Sequence, residues 1–325
     1  MNEQDKQDIS NILSEVTNHL MINGSMVFIS GLLYGKLGIS LFFFHYARYT
    51  GNSLYEEYAR CLVDLVKAQI HDDYPLDYER GLAGVGAGLD YLKKHGYYDV
   101  GSELMYMIDS KIIKMVDYER RVGLLTGFGR YLMSRYETNP AMKDSLIRLI
   151  DLLINPSAPV QTNSDSLSLL CDLCSLGIRE EMIESCLSDS MDALIKDVEK
   201  EPISGKLFTL IKLSQIPSCS LCRTAACDAL SDIFTKKRAQ FADINSFQWL
   251  LQCEKLVKEN EFHFFLPKIK SKIEKNIASF DPSKLDELFS NHQDFAFQGG
   301  YAGLGMALIS ILDTDHVSWI NLLKI

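Results

Sequence analysis

Apolar residues recur at helical spacing along most of the chain, in two alternating kinds of segment. The first kind is amphipathic, as in residues 55–70, where the spacing of an α-helix places the apolar side chains on one face: Tyr55, Tyr58, Ala59, Leu62, Leu65 and Val66. The second kind, such as GLAGVGAGL at 81–89, is apolar on all sides and begins with glycine. The pattern predicts an all-α protein in which amphipathic helices alternate with more apolar ones.

Glycine-rich runs mark the starts of several apolar segments and repeat along the sequence. They are GLLYGKLGI (31–39), GLAGVGAGL (81–89), LLTGFGRYL (124–132) and GYAGLGMAL (300–308). With Gly35, Gly84, Gly127 and Gly303 as phase markers, the steps are 49, 43 and 176 residues, and the last equals four steps of 44. A fixed period of this size indicates a repeat architecture.

The repeat predicts an inner and an outer layer of helices. Apolar segments at 166–176, 204–213 and 246–257 lie near the intermediate repeat positions, which gives fourteen helices in seven hairpins. The first and last inner helices are among the most apolar, whereas an open solenoid needs polar terminal repeats. We therefore predict a closed (α/α)7 toroid that forms a single domain over 1–325.

Glycine at the start of an inner helix lets backbones approach closely, because it has no Cβ. If the ring closes, Gly38 and Gly303 lie in neighbouring inner helices. The glycines expected to serve this structural role are Gly31, Gly35, Gly38, Gly81, Gly84, Gly123, Gly127, Gly300 and Gly303.

Composition and charge narrow the classes of partner. A net charge of −10 and a pI near 5.2 argue against a duplex nucleic-acid partner and against an anionic membrane surface. The apolar stretch 25–47 carries three glycines and Lys36, so we interpret it as a buried helix and expect no membrane insertion. The first ten residues lack the pattern of a signal peptide, and eight cysteines then suggest reduced thiols. We expect a cytoplasmic protein.

The glycine-led runs at 31–38, 81–89, 123–132 and 300–308, in a chain of seven predicted hairpins, resemble the lanthionine synthetase C-like family. The resemblance implies an α/α toroid. It also implies a role in the modification of ribosomal peptides, since the zinc enzymes of the family add cysteine thiols to dehydrated Ser or Thr of a precursor peptide. Their zinc ligands are a Cys leading the fifth inner helix and an adjacent Cys-His-Gly leading the sixth.

This sequence departs from the family pattern at the zinc and proton-transfer positions. The fifth inner helix begins with Ser204-Gly205-Lys206, and in the sixth Cys253 is followed by Glu254 rather than His. Gly123 stands where the family has its Asp, and the fourth inner helix has no His. We therefore expect no zinc and no cofactor, and an enzymatic role stays open, with a non-catalytic one favoured. The expected partner is a precursor peptide or a peptide-modifying enzyme.

Two Cys-x-x-Cys pairs offer a separate metal hypothesis. Cys171 and Cys174 lie in one predicted helix, and Cys219 and Cys222 follow after 44 intervening residues. That gap exceeds the usual zinc-ribbon spacing, and free cysteine is a common core residue. An aspartate-rich run at 71–77 contains Pro75 and is interpreted as a solvated loop rather than a magnesium site.

The four letters Asp-Tyr-Glu-Arg occur twice, each time just ahead of an apolar helix. The candidate rim comprises both copies with two residues ahead of the last inner helix: Asp77, Tyr78, Glu79, Arg80, Asp117, Tyr118, Glu119, Arg120, Asp294 and Gln298. One interpretation is helix capping with inter-repeat ion pairs. The other is a peptide-binding rim.

We therefore favour a zinc-free, peptide-binding protein of this family. Two alternatives stay open. One is a glycan hydrolase that uses paired carboxylates, Asp77 or Glu79 with Asp117 or Asp294. The other is a non-catalytic helical scaffold for a protein partner.

Overall fold

A computed structural model describes residues 3–155, 163–235, 245–279, 295–313 and 318–323. Throughout these ranges the regular secondary structure is helical, with fourteen α-helices, short 3-10 turns and no strand. The prediction of an all-α protein is confirmed. The predicted closed ring and single domain over 1–325 stay predictions.

The α-helices alternate as the hydrophobic pattern indicates. In chain order they are α1 Glu3–Asn23, α2 Lys36–Thr50, α3 Ser53–Gln69, α4 Leu82–Lys94, α5 Ser102–Val116, α6 Val122–Tyr136, α7 Lys143–Ile154, α8 Ser164–Ser175, α9 Glu180–Lys200, α10 Gly205–Leu213, α11 Leu221–Thr235, α12 Asn245–Glu259, α13 Leu266–Ser279 and α14 Tyr301–Leu312. α4 is buried without interruption from Leu82 to Leu92, whereas α3 buries only one face, through Ala59, Leu62, Val63 and Val66.

The chain divides into two compact units, each assembled from separate segments. Unit 1 comprises Met1–Asp109, Phe241–Leu251 and Ser271–Leu323. Unit 2 comprises Ser110–Gln240, Gln252–Lys270 and Lys324–Ile325.

In unit 1, the first and last glycine-led helices are neighbours. α2 packs against α3, α4 and α14, and α14 also packs against α1. A Cβ on Gly38 would collide with Phe297, and a Cβ on Gly305 would collide with the Phe42 ring, so these glycines permit the close approach. The expected contact between the first and last inner helices is confirmed. It buries Phe42, and a large apolar side chain contributes about 1.5–3 kcal/mol when fully buried.

In unit 2, successive apolar helices pack side by side; α6 carries the glycine run at 124–132, whereas α8 and α10 have no such run. α8 lies between α6 and α10, and amphipathic helices cover the set. The hydroxyls of Thr126 and Ser166 are hydrogen-bonded at 2.6 Å between α6 and α8, and Thr209 of α10 donates to the Ser164 carbonyl at 3.2 Å. Small hydroxyl residues therefore stand at these close contacts between helices.

The apolar stretch 25–47 is divided between a 3-10 turn, a loop and the first part of α2. None of the described helices is both long and apolar enough to cross a membrane.

Candidate functional site

Three loops in unit 1 lead into α2, α4 and α14 and have the same local fold. We call them the cap loops: loop 1 (29–35), loop 2 (75–81) and loop 3 (295–300). Each ends in a glycine with extended backbone that serves as the helix N-cap, namely Gly35, Gly81 and Gly300. The glycine runs of the sequence therefore mark three equivalent helix starts.

Each cap loop folds back onto the first turn of its own helix. The Lys36 amide donates to the Ile29 carbonyl at 2.9 Å, and the Leu82 amide donates to the Pro75 carbonyl at 2.7 Å. In loop 3 the Gly303 amide donates to the Ala296 carbonyl at 3.2 Å. Every one of these bonds reaches back seven residues. The first turn of each helix thus finds an acceptor in its loop, which free helix N-termini otherwise lack.

A second glycine, three residues after the cap, is required by this geometry. A Cβ on Gly84 would collide with the Tyr78 carbonyl, and a Cβ on Gly303 would collide with the Phe297 carbonyl. Gly38 has the same relation to Leu32, so the carbonyl in question always lies six residues earlier.

The structure corrects the repeat register. Gly38, not Gly35, is equivalent to Gly84 and Gly303, because all three follow a cap glycine by three residues. The run at 124–132 does not share this geometry. α6 begins after Arg121, and a Cβ on Gly123 would meet no atom within 4 Å.

Main-chain hydrogen bonds join the three cap loops in series. The Gln298 amide donates to the Leu33 carbonyl at 3.1 Å, and the Leu33 amide donates to the Glu79 carbonyl at 2.9 Å. All three residues stand two positions before a cap glycine. Gly31 lies directly against the backbone of Arg80, where a Cβ would not fit. Loops 3, 1 and 2 are therefore joined into one continuous series in unit 1.

In the first Asp-Tyr-Glu-Arg copy, some side chains stabilise the fold and others are exposed to solvent. Tyr78 is only 4% exposed, and its hydroxyl donates to the Leu322 carbonyl at 3.2 Å. Asp77 accepts from the Arg80 amide at 2.7 Å, which closes the turn. Arg80 is exposed, and its guanidinium lies over the Tyr34 ring, 5.6 Å from the centroid. Of this copy, Arg80 is thus available for contact, and Tyr78 is a core residue.

The second copy, in unit 2, has the opposite burial. Tyr118 is 71% exposed, whereas Glu119 is 6% exposed. The Glu119 carboxylate accepts from the Arg121 guanidinium at 2.8 and 3.0 Å and from the amides of Arg120 and Arg121. These bonds lower the pKa of Glu119 to about 2. Asp117 pairs with Arg148 at 3.2 Å.

The two copies differ because their connections differ in length. The first lies in a connection of residues 70–81, the second in one of residues 117–121. Loop 2 has room to fold back on α4 and bury Tyr78, whereas the short connection turns directly into α6 and directs Glu119 inward. The two Asp-Tyr-Glu-Arg copies are therefore not structurally equivalent, and they do not present the same side chains to solvent.

Loop 3 contributes Gln298, whose side-chain oxygen is buried without a hydrogen-bond partner among the described residues. Asp294 lies outside the described residues. Gln248, which the sequence analysis did not single out, holds this loop. Its amide group donates to the Phe297 carbonyl at 2.7 Å and accepts from the Gly299 amide at 2.8 Å. The sequence signal was a glutamine among apolar residues at the start of the segment 246–257, where Phe247 and Trp249 flank it.

Exposed apolar side chains immediately precede loop 1. Phe28 is 88% exposed, and Met26 and Ile22 are also exposed. Ile29, the next residue after Phe28, accepts the first amide of α2, so the position of Phe28 is fixed by loop 1. Exposed apolar side chains of this kind are a common feature of protein and peptide contacts.

The Cys-x-x-Cys pairs lie in unit 2 and are core residues. Burial raises the pKa of all four thiols, Cys171, Cys174, Cys219 and Cys222. Cys171 and Cys174 line a cavity of about 320 Å³, which also contains an ion pair between Lys212 and Asp172 at 2.8 Å. Within the described ranges, no three His, Cys, Asp or Glu side chains are grouped so as to hold a metal ion.

The residues compared with the family's zinc pattern have structural positions here. Ser204 is the N-cap of α10, and Cys253 is fully buried in α12 with its pKa raised by burial. The aspartate-rich run begins with exposed His71, Asp72 and Asp73 and continues into loop 2. Of the carboxylates considered for a hydrolase, Asp77 closes its own turn, and Asp117 pairs with Arg148.

Comparison with known proteins gives neither a matching family model nor a matching curated protein.

Proposed function

We propose that this protein binds an extended segment of a ribosomal precursor peptide across the cap loops of unit 1. In this proposal it is a zinc-free, non-catalytic protein with the architecture of the lanthionine synthetase C-like family. The observation that carries the proposal is the series of main-chain bonds from Gln298 through Leu33 to Glu79, which orders three loops side by side.

A rigid loop surface favours binding because little conformational entropy is lost when a ligand docks. Each cap loop is held twice, once by its own helix and once by a neighbouring loop. Loop 3 has a third support in the Gln248 side chain. This degree of support exceeds what helix capping needs, since the bonds between loops satisfy no helix terminus.

The chemistry of the surface suits a peptide with apolar and acidic side chains. Phe28 and Met26 offer apolar area, and Arg80 offers a guanidinium held against the Tyr34 ring. Arginine and aromatic residues dominate binding energy at many protein contacts. A peptide that places an apolar side chain on Phe28 and a carboxylate on Arg80 would use both.

The packing of unit 1 is the support for a closed (α/α)7 toroid. A ring requires the last inner helix to contact the first, and α14 packs against α2. The alternation of buried and half-buried helices along the chain agrees with two concentric layers.

Non-catalytic binding is favoured over thioether formation by the residues at the family positions. That chemistry needs a thiolate, and metal ligation or nearby cations lower a thiol pKa to provide one. Here Ser204 replaces a cysteine, and the Cys253 pKa is raised by burial.

A selection experiment tests the proposal. A display library of linear peptides is passed over the immobilised protein, and the enriched peptides are mapped by hydrogen–deuterium exchange. We expect enriched peptides with apolar and acidic residues, and slower exchange in residues 29–35, 75–81 and 295–300. Failure to enrich any peptide, or protection confined to unit 2, would contradict the proposal. Enrichment only of folded domains from a protein library would favour the scaffold alternative.

A further inference from the structure

Lys36 is the first residue of α2 and is buried, with 4% of its surface exposed. Among the described residues, its ammonium group has no carboxylate in ion-pair range and no hydrogen-bond acceptor. Burial lowers the pKa of Lys36, and no charged neighbour contributes to the change. The side chain of Lys36 is thus almost wholly covered, and its ammonium group has no counterion in the described chain.

The placement is unfavourable for a cation without a ligand. Burying an ammonium group without pairing is strongly unfavourable. The N-terminus of a helix also carries positive potential, which repels a cation. The first two amides of α2 already donate to the Ile29 and Ser30 carbonyls. An incoming anion would therefore bind to the Lys36 side chain and not to these amides.

The fold itself does not call for lysine at this position. The equivalent first residues of α4 and α14 are Leu82 and Tyr301, both buried. Tyr301 stacks on His19 of α1 at 5.2 Å between ring centroids. The same loop geometry therefore accepts an aliphatic or an aromatic side chain, and a lysine here needs a separate reason.

We propose that Lys36 binds a single carboxylate of the peptide ligand, supplied by its C-terminus or by an acidic side chain. A carboxylate matches the site because one ammonium balances one negative charge, whereas a phosphate dianion calls for a second cation. The inference rests on the proposed peptide-binding function and names the group that its ligand must carry.

The test compares three proteins and three probes at constant ionic strength. The proteins are the wild type, Lys36→Met, and the matched control Lys93→Met, which removes an exposed lysine of the same unit. The probes are N-acetyl-alanyl-alanine with a free carboxylate, its C-terminal amide, and inorganic phosphate. The measurement is the unfolding temperature as a function of probe concentration, because a ligand that binds only the folded state raises it.

We expect the free carboxylate to raise the unfolding temperature of the wild type and of Lys93→Met. The half-saturating concentration should be at least about tenfold higher for the amide, for phosphate and for Lys36→Met, the loss typical of a charge-assisted hydrogen bond. Without probe, Lys36→Met should melt above the wild type, because an uncompensated charge is removed.

The inference is overturned if no probe raises the wild-type unfolding temperature, if the acid and the amide act equally, or if Lys36→Met responds like the wild type. These outcomes are separate from the peptide selection. Enriched peptides that bind the wild type and Lys36→Met equally would leave the proposed function standing and remove Lys36 from it. If a carboxylate effect depends on Lys36 but no peptide is enriched, the Lys36 site would stand and the proposed peptide-binding function would fail.

Discussion

The Leu33 amide donates to the Glu79 carbonyl at 2.9 Å, joining two loops that lie 46 residues apart at equivalent positions. Both residues stand two positions before a cap glycine, Gly35 or Gly81. The Leu33 carbonyl in turn accepts from Gln298, which holds the corresponding position in loop 3. Equivalent positions of the sequence repeat are thus joined by main-chain hydrogen bonds in the structure.

Replacing Gly84 with alanine should destabilise the protein, because the new Cβ collides with the Tyr78 carbonyl in a loop that cannot move independently. We expect a loss of about 1–3 kcal/mol in the free energy of unfolding, the usual effect of overpacking. Urea denaturation measures it. Gly123→Ala is the control, since its Cβ meets open space and alanine raises helix propensity by up to about 1 kcal/mol. Equal stabilities for the two variants would refute the loop geometry.

Tyr78→Phe should reduce stability, whereas Tyr118→Phe should not. The Tyr78 hydroxyl donates to the buried Leu322 carbonyl, and a net hydrogen bond contributes about 0.5–1.5 kcal/mol. The Tyr118 side chain is exposed, so loss of its hydroxyl should change the unfolding temperature little. Thermal melts of the two variants decide the point. A larger effect at Tyr118 would mean that the roles of the two tyrosines are reversed.

Glu119 should stabilise the protein in a pH-dependent way. Its pKa falls from the usual 4.5 to about 2 in the folded state, chiefly through the Arg121 guanidinium. Since the folded-state pKa is the lower one, the stabilisation is complete above about pH 4.5 and is lost as the pH falls towards 2. The difference in unfolding free energy between wild type and Glu119→Gln should therefore shrink over this range.

Asp117→Asn is the matched control for that titration, because the exposed pair of Asp117 with Arg148 is expected to contribute little. A constant difference between wild type and Glu119→Gln from pH 6 to pH 2.5 would show that the charge of Glu119 does not stabilise the fold.

Gln248→Leu should loosen loop 3. The substitution removes a donor to the Phe297 carbonyl and an acceptor for the Gly299 amide. We expect at least about tenfold faster amide exchange at Gly299, because a bond worth more than 1 kcal/mol is lost. Gln252→Leu, one turn along α12, is the control, since Gln252 has no hydrogen bond among the described residues. Unchanged exchange at Gly299 would contradict the assigned clamp.

The helical part of the fold follows closely from sequence pattern. The spacing of Gly35 and Gly38, of Gly81 and Gly84, and of Gly300 and Gly303 reports a local contact between a loop and its own helix. Such a contact involves residues close in sequence, so periodicity detects the repeat, but it placed the register of the first run at Gly35 instead of Gly38. The packing of α14 on α2 could also be predicted from the sequence, because two terminal segments so rich in apolar residues need another apolar helix to pack against.

The roles of the side chains at the site were harder to predict from the sequence. Asp-Tyr-Glu-Arg reads the same at both positions, yet Tyr78 is buried in one copy and Glu119 in the other. Connection length and distant partners such as Leu322 decide which side chain turns inward. The role of Gln248 likewise depends on a loop 49 residues away, which no local pattern encodes.

The affinity of a selected peptide for loop variants tests the central claim most directly. Isothermal titration of one enriched peptide would compare wild type, Arg80→Ala and Phe28→Ala with Phe264→Ala, which removes another exposed phenylalanine, 76% exposed against 88% for Phe28, from unit 2. Peptide binding across the cap loops predicts that Arg80→Ala and Phe28→Ala each weaken affinity by about tenfold or more, as central contact residues do. Phe264→Ala should bind like the wild type. Equal affinity in all four proteins would contradict peptide binding at the cap loops.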